Sequence, residues 1–103
     1  MVLREVTLTV RLAFALEQNV PNPFNPSTSI AFAIPENADV SLAVYDVAGR
    51  LVRTLVEGRR RAAYYEVEWD ATDNRGVPVA SGVYFYRLVA GKQTTTRKMV
   101  LIK

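Results

Sequence analysis

The sequence holds no histidine and no cysteine among its 103 residues. That removes the commonest general base, the commonest metal ligand and thiolate chemistry of any kind, disulfides included. The hydroxyls of Ser27, Thr28, Ser29, Ser41 and Ser81 have no imidazole to activate them. A serine–lysine pair would have to draw on Lys92, Lys98 or Lys103, all near the C-terminus. No glycine-rich phosphate loop occurs. The expectation is a protein that is not an enzyme and carries no cofactor.

What remains is binding chemistry, and each candidate has a plain structural alternative. The stretch from Trp69 to Gly76 crowds Asp70, Asp73 and Asn74 ahead of a glycine. Such a loop can hold calcium, but the EF-hand spacing and its distal glutamate are missing. Asp and Asn in a hairpin loop ordinarily satisfy the turn's own amides, so no metal is assigned. Arg59-Arg60-Arg61 forms a compact basic patch between two strands, either an anion site or a solvated loop tip. With 13 Lys+Arg against 10 Asp+Glu the net charge is only +3, which does not single out nucleic acid. Tyr64, Tyr65 and Trp69 can face a sugar or pack as core. Asn22-Pro23-Phe24-Asn25-Pro26 is the most unusual stretch. Three prolines between Pro21 and Pro26 restrict the backbone, and the asparagines can close Asx-turns. Phe24 can then plug one end of a sandwich. A rigid structural turn is the reading, with partner recognition as the alternative.

The elements that must position these residues are strands. Period-2 alternation recurs along the chain and no 3.6-residue stripe is sustained. Val6, Leu8, Val10, Leu12 and Phe14 alternate with polar or small residues over Val6 to Phe14. Ile30, Phe32 and Ile34 share a face that ends at Pro35. Val40, Leu42 and Val44 face one way, with Ser41, Ala43 and Tyr45 the other. Leu51 to Val56 reads as a short fourth strand. Tyr65, Val67 and Trp69 form the inner face of a fifth, and Val83 to Val89 and Thr95 to Ile102 complete the set. Turn residues separate them at Pro35-Glu36-Asn37, Val47 to Arg50, Glu57-Gly58, Asp73 to Gly76 and Ala90-Gly91-Lys92. About seven short strands predict an all-β chain: an immunoglobulin-like antiparallel β-sandwich, with a small barrel as the rival. No apolar run approaches the ~18 residues of a membrane span. The opening Met1-Val2-Leu3-Arg4-Glu5 lacks the pattern of a secretory leader.

Several of these motifs are familiar together. The run Leu16-Glu17-Gln18-Asn19-Val20-Pro21-Asn22-Pro23-Phe24-Asn25-Pro26-Ser27-Thr28 resembles the opening of the C-terminal sorting domains of the type IX (Por) secretion system. Val44-Tyr45-Asp46-Val47-Ala48-Gly49-Arg50 is similar to that family's central strand and turn. Ala80 to Leu88 and Thr96 to Lys103 resemble its last two strands. Trp69 to Gly76, with Pro78, also resembles the immunoglobulin-like domain of the flagellar hook-capping protein.

The resemblance implies a non-catalytic sandwich at the C-terminus of a larger protein that reaches the surface or is secreted through the periplasm. Its partners would be the outer-membrane secretion machinery, a surface sorting protease and a covalently attached upstream cargo domain, with no nucleic acid. By the family's pattern the signal lies in Lys98, Met99, Val100, Leu101, Ile102 and Lys103, with a weaker transfer to Gly49 and Arg50. The sorting-type domain is then residues 16–103. Residues 1–15 are its first strand, a remnant of an upstream domain or an exchange arm, since a long alternating strand is suited to strand addition. Two other functions stay open: a structural module that self-associates through the Val6 to Phe14 strand, and a carbohydrate-binding accessory module.

Overall fold

The computed structural model describes residues 12–103. Seven strands pack as two antiparallel sheets. The first sheet has the order β1 (Ala15–Leu16), β2 (Thr28–Ile34), β5 (Ala63–Trp69), and the second β4 (Leu51–Arg60), β3 (Ala38–Tyr45), β6 (Gly82–Ala90), β7 (Gln93–Leu101). The chain changes sheet between β2 and β3, between β4 and β5 and between β5 and β6, giving the immunoglobulin-like sandwich that the alternation predicts. The barrel alternative falls, because nothing in the ladder joins β5 or β1 to the second sheet's edges as a continuous wall.

The core follows from the period-2 pattern. Ile30, Phe32 and Ile34 of β2 meet Val40, Leu42 and Val44 of β3, with Tyr84, Tyr86, Leu88, Met99 and Leu101 from β6 and β7, and all are buried. Trp69 sits at the end of β5, wholly enclosed, between Phe24 at 5.8 Å and Tyr84 at 5.4 Å between ring centroids. Burying aromatic groups of this size dominates a small core. Near the start of β6 the Tyr84 hydroxyl donates to the Ala80 carbonyl at 2.6 Å, the tyrosine corner typical of this fold.

Three expectations need correcting. Glu57-Gly58 does not end the fourth strand. Gly58 takes a positive φ of 126° inside β4, which a glycine adopts without steric cost, and pairing with β3 continues to Arg60 opposite Ala38. Arg59 and Arg60 are therefore strand residues rather than a loop tip. Among the described residues the first strand is Ala15–Leu16, paired with β2, and Leu12 to Phe14 are not in a strand; the rest of the Val6 to Phe14 segment, up to Arg11, lies outside the described residues.

The register also sorts the loops by end. Tyr45 lies opposite Phe85 and Phe85 opposite Lys98, while Gly82 faces Leu101 and Thr28 faces Trp69. One end of the sandwich, the closing pole, thus gathers the C-terminus, the Asn22–Pro26 turn, the β3–β4 turn and the long β5–β6 loop. The β2–β3, β4–β5 and β6–β7 turns occupy the other.

Candidate functional site

The closing strand β7 and the two residues after it hold Lys98 to Lys103, the residues that the family resemblance marked most strongly for sorting. Its alternation splits them. Met99 and Leu101 point into the core and are fully buried, whereas Lys98, Ile102 and Lys103 are exposed and Val100 is half-buried. The Lys103 amide donates to the Ser81 hydroxyl at 3.0 Å.

β7 is an edge strand, yet its C-terminal half is not free. A bent segment, Gln18 to Phe24, runs beside it in the same direction. The Phe24 amide donates to the Val100 carbonyl and the Ile102 amide to the Phe24 carbonyl, both at 3.0 Å. Asn22 Oδ1 accepts from the Val100 amide at 2.9 Å, and Gln18 Nε2 donates to the Lys98 carbonyl at 2.8 Å. This clasp takes up the outward backbone groups from the Lys98 carbonyl to the Ile102 amide. The clasp thus limits the open edge of β7 to its N-terminal half among the described residues.

The clasp is fixed by burial and by one hydroxyl. Phe24 is 2% exposed and plugs the pole against Trp69, as its flanking prolines and asparagines suggest. Tyr86 reaches from β6 so that its hydroxyl donates to the Glu17 carbonyl at 2.7 Å and accepts from the Asn19 amide at 2.8 Å. Asn19, also buried, donates through Nδ2 to the Thr28 hydroxyl at 3.0 Å and to the Pro21 carbonyl at 3.1 Å. Burial pushes the Tyr86 phenol above its ordinary pKa, against the hydrogen bond from Asn19 and the nearby Arg97 charge. Arg97 Nε donates to the Leu16 carbonyl at 2.5 Å.

The turns of the closing pole are self-satisfied. Asp46 Oδ1 accepts the amides of Ala48 and Arg50 at 2.9 Å, and Oδ2 holds the Arg50 guanidinium at 3.0 Å. Gly49 supplies the positive φ of 81° that closes this loop. The Arg50 amide, then the Ala48 amide and the Arg50 guanidinium, hold the Asp46 carboxyl below the usual range. Around the β5–β6 loop, Asp70 accepts from the Thr72 hydroxyl and amide, and Asp73 from the amides of Arg75 and Val77. These bonds lower both carboxyls, the Thr72 hydroxyl leading for Asp70 and the Val77 amide for Asp73. Asn74 stitches the loop onto β4: Oδ1 accepts the Thr54 amide and the Asn74 amide donates to the Val52 carbonyl. The oxygens that suggested calcium are turn-forming oxygens, and no cluster of three or more acidic side chains converges among the described residues.

The profile of the FlgD Ig-like domain matches residues 18–94, most of the chain. The chain belongs to the FlgD Ig-like domain family. No curated protein matches it. Two solved structures share its fold. Dimeric latent PorU from Porphyromonas gingivalis aligns with a TM-score of 0.69 at 24% identity, over 96% of this chain and 10% of that one. PorZ, described as an essential bacterial surface component of the type IX secretion system of the same organism, aligns with a TM-score of 0.54 at 24% identity, over 87% of this chain and 11% of that one. The chain spans about a tenth of the length of each.

In this FlgD Ig-like domain the remaining sequence candidates do not assemble into a site. Trp69 is enclosed and its indole nitrogen donates to the Thr72 carbonyl at 2.9 Å. Tyr65 stacks on Phe32 at 5.1 Å and donates to the Arg61 carbonyl, while Tyr64, 59% exposed, points to the opposite face. Tyr64, Tyr65 and Trp69 thus form no shared aromatic platform for a sugar among the described residues. Arg59 sits 3.8 Å from Asp39 on the strand beside it, both well exposed. The clasp is the feature that sequence reasoning missed. Its signal was the pair of asparagines around a large apolar residue, one of which pairs with a strand 78 residues away.

Proposed function

We propose that this chain is a non-catalytic sorting domain that directs an attached cargo protein across the outer membrane by type IX secretion, leaving it secreted or at the cell surface. The observation that carries the reading is the likeness of almost the whole chain to a module making up about a tenth of PorU and of PorZ, the latter a surface component of that secretion system. The motif order from Leu16 to Lys103 and the lack of histidine and cysteine support it. Its partners are the secretion machinery, a surface protease and the cargo.

Deleting Lys98 to Lys103 is a poor test, because Met99 and Leu101 are core residues and their loss removes the fold together with any signal. The discriminating experiment fuses the chain to the C-terminus of a periplasmic fluorescent protein in a bacterium with type IX machinery and in a mutant lacking it. A parallel fusion carries Lys98→Glu, Ile102→Asp and Lys103→Glu, all exposed positions. The expected result is surface reporter only in the competent strain, reduced by the triple substitution although the domain stays folded. Reporter held in the periplasm of both strains overturns the proposal. The family membership favours a second reading, a structural assembly module; concentration-dependent sedimentation of the full chain, without export, would support it.

A further inference from the structure

Among the described residues the clasp leaves half of the β7 edge uncovered, and that half has the chemistry of a docking site. In an antiparallel ladder the backbone groups of successive residues point alternately toward and away from the neighbouring strand. On β7 the clasp bonds show that Lys98, Val100 and Ile102 point outward. The same parity turns Thr94 and Thr96 outward. Among the described residues no partner meets the backbone groups of either. The side chains there are exposed, with only Thr95 half-buried. Three successive β-branched residues hold this stretch extended.

The charge around the edge selects the occupant. From Asn74 to Lys103 the sequence contains Arg75, Arg87, Lys92, Arg97, Lys98 and Lys103 and no acidic residue. Arg87 lies opposite Thr96 and Val89 opposite Thr94, so the outer face of this half-edge carries Arg87 and Lys98, with Lys92 at the turn, all exposed. Like charges keep a second copy of β7 from pairing with the first. A strand with carboxylates on its outer face and apolar side chains on its inner one meets Arg87 and Lys98 with one face and Thr95 with the other.

We infer that Gln93 to Arg97 is a strand-addition site for an extended, acid-bearing peptide segment of a partner protein. Main-chain bonds to Thr94 and Thr96 supply the pairing and the cations supply the choice of partner. The inference names a partner surface for the sorting reading but rests on the sheet edge itself, and its test is independent of export.

The test titrates the full chain, labelled with nitrogen-15, with a capped hexapeptide of alternating glutamate and valine, and separately with its lysine–valine counterpart. In the free chain the Thr94 and Thr96 amides exchange rapidly with solvent. The acidic peptide shifts and protects these two amides, and the basic peptide binds roughly tenfold more weakly. The double substitution Thr94→Pro and Thr96→Pro removes only outward N–H groups, so the fold is retained and binding is lost. Lys98→Glu weakens the acidic peptide without changing the fold. Amides already protected in the free chain, shifts confined to other strands, or equal response to both peptides would each overturn the inference.

Discussion

Tyr86→Phe deletes one oxygen atom and tests whether the clasp hangs on it. The ring stays, so the packing of the core is unchanged. What disappears is a donor to the Glu17 carbonyl and an acceptor for the Asn19 amide, at 2.7 and 2.8 Å. Two such bonds contribute about 1–3 kcal/mol net. Asn19 is 1% exposed, so its amide is left without an acceptor, which places the loss in the upper half, about 2–3 kcal/mol. For a domain of this size that is a fall in Tm of roughly 10–20 °C. Thermal melts and urea titration read it, with the midpoint moving and the m-value held. Native-state hydrogen exchange adds the diagnostic: the Val100 and Ile102 amides, bonded to Asn22 and Phe24, should open faster than the β3–β6 ladder. A loss below about 0.5 kcal/mol with unchanged exchange at those amides refutes the reasoning, since the hydroxyl would then be replaceable.

Phe24→Ala should cost about 3–5 kcal/mol by opening a cavity beside Trp69, read by denaturant unfolding and by a shift in tryptophan fluorescence. The Asp46, Asp70 and Asp73 carboxyls sit below their ordinary value of 3.8. Their contribution is therefore present above that pH and fades as pH falls through their lower folded values, so melting temperature should hold from neutral pH to about pH 5 and drop below about pH 4. The Tyr84 and Tyr86 phenols are raised above 10.0, so the stability they carry is present below pH 10 and is lost as pH rises beyond it; alkaline melts in Tyr86→Phe should show a shallower decline. Thr95→Pro should destabilise by about 3 kcal/mol, because the Thr95 amide faces Leu88 within the sheet, while the Thr94→Pro change on the outward side leaves the melt nearly unmoved.

Most of the sandwich is legible because its strands alternate. Ile30-Phe32-Ile34 and Val40-Leu42-Val44 declare their inner faces, and both are buried as the pattern requires. Gly58 misleads because a glycine reads as a break, yet a strand tolerates it where the local φ is positive. Trp69 is legible too: period 2 puts it on the inner face with Tyr65 and Val67 and sends Tyr64 to the opposite face, and it is wholly enclosed. What the alternation does not give is that Phe24, from far upstream, closes over the indole. The clasp joins residues about 80 apart, a pairing that no local periodicity encodes. Phe24 is foreseeable as a plug, but what its backbone bonds to is not. The tertiary structure shows that of the closing residues Met99 and Leu101 serve the core while Lys98, Ile102 and Lys103 stay exposed.

The parallel clasp has a mechanical consequence. The chain reaches Leu16 level with Arg97, runs to the closing pole, and leaves it at Lys103. A tether before Leu16 and a grip on Lys103 therefore pull the clasp and β7 along their common axis in opposite directions. The bonds of Phe24, Asn22 and Gln18 are loaded in shear, together, rather than peeled one at a time. Force applied between an attached domain and the C-terminus meets this patch before it meets the core, so the rate of forced unfolding is set there.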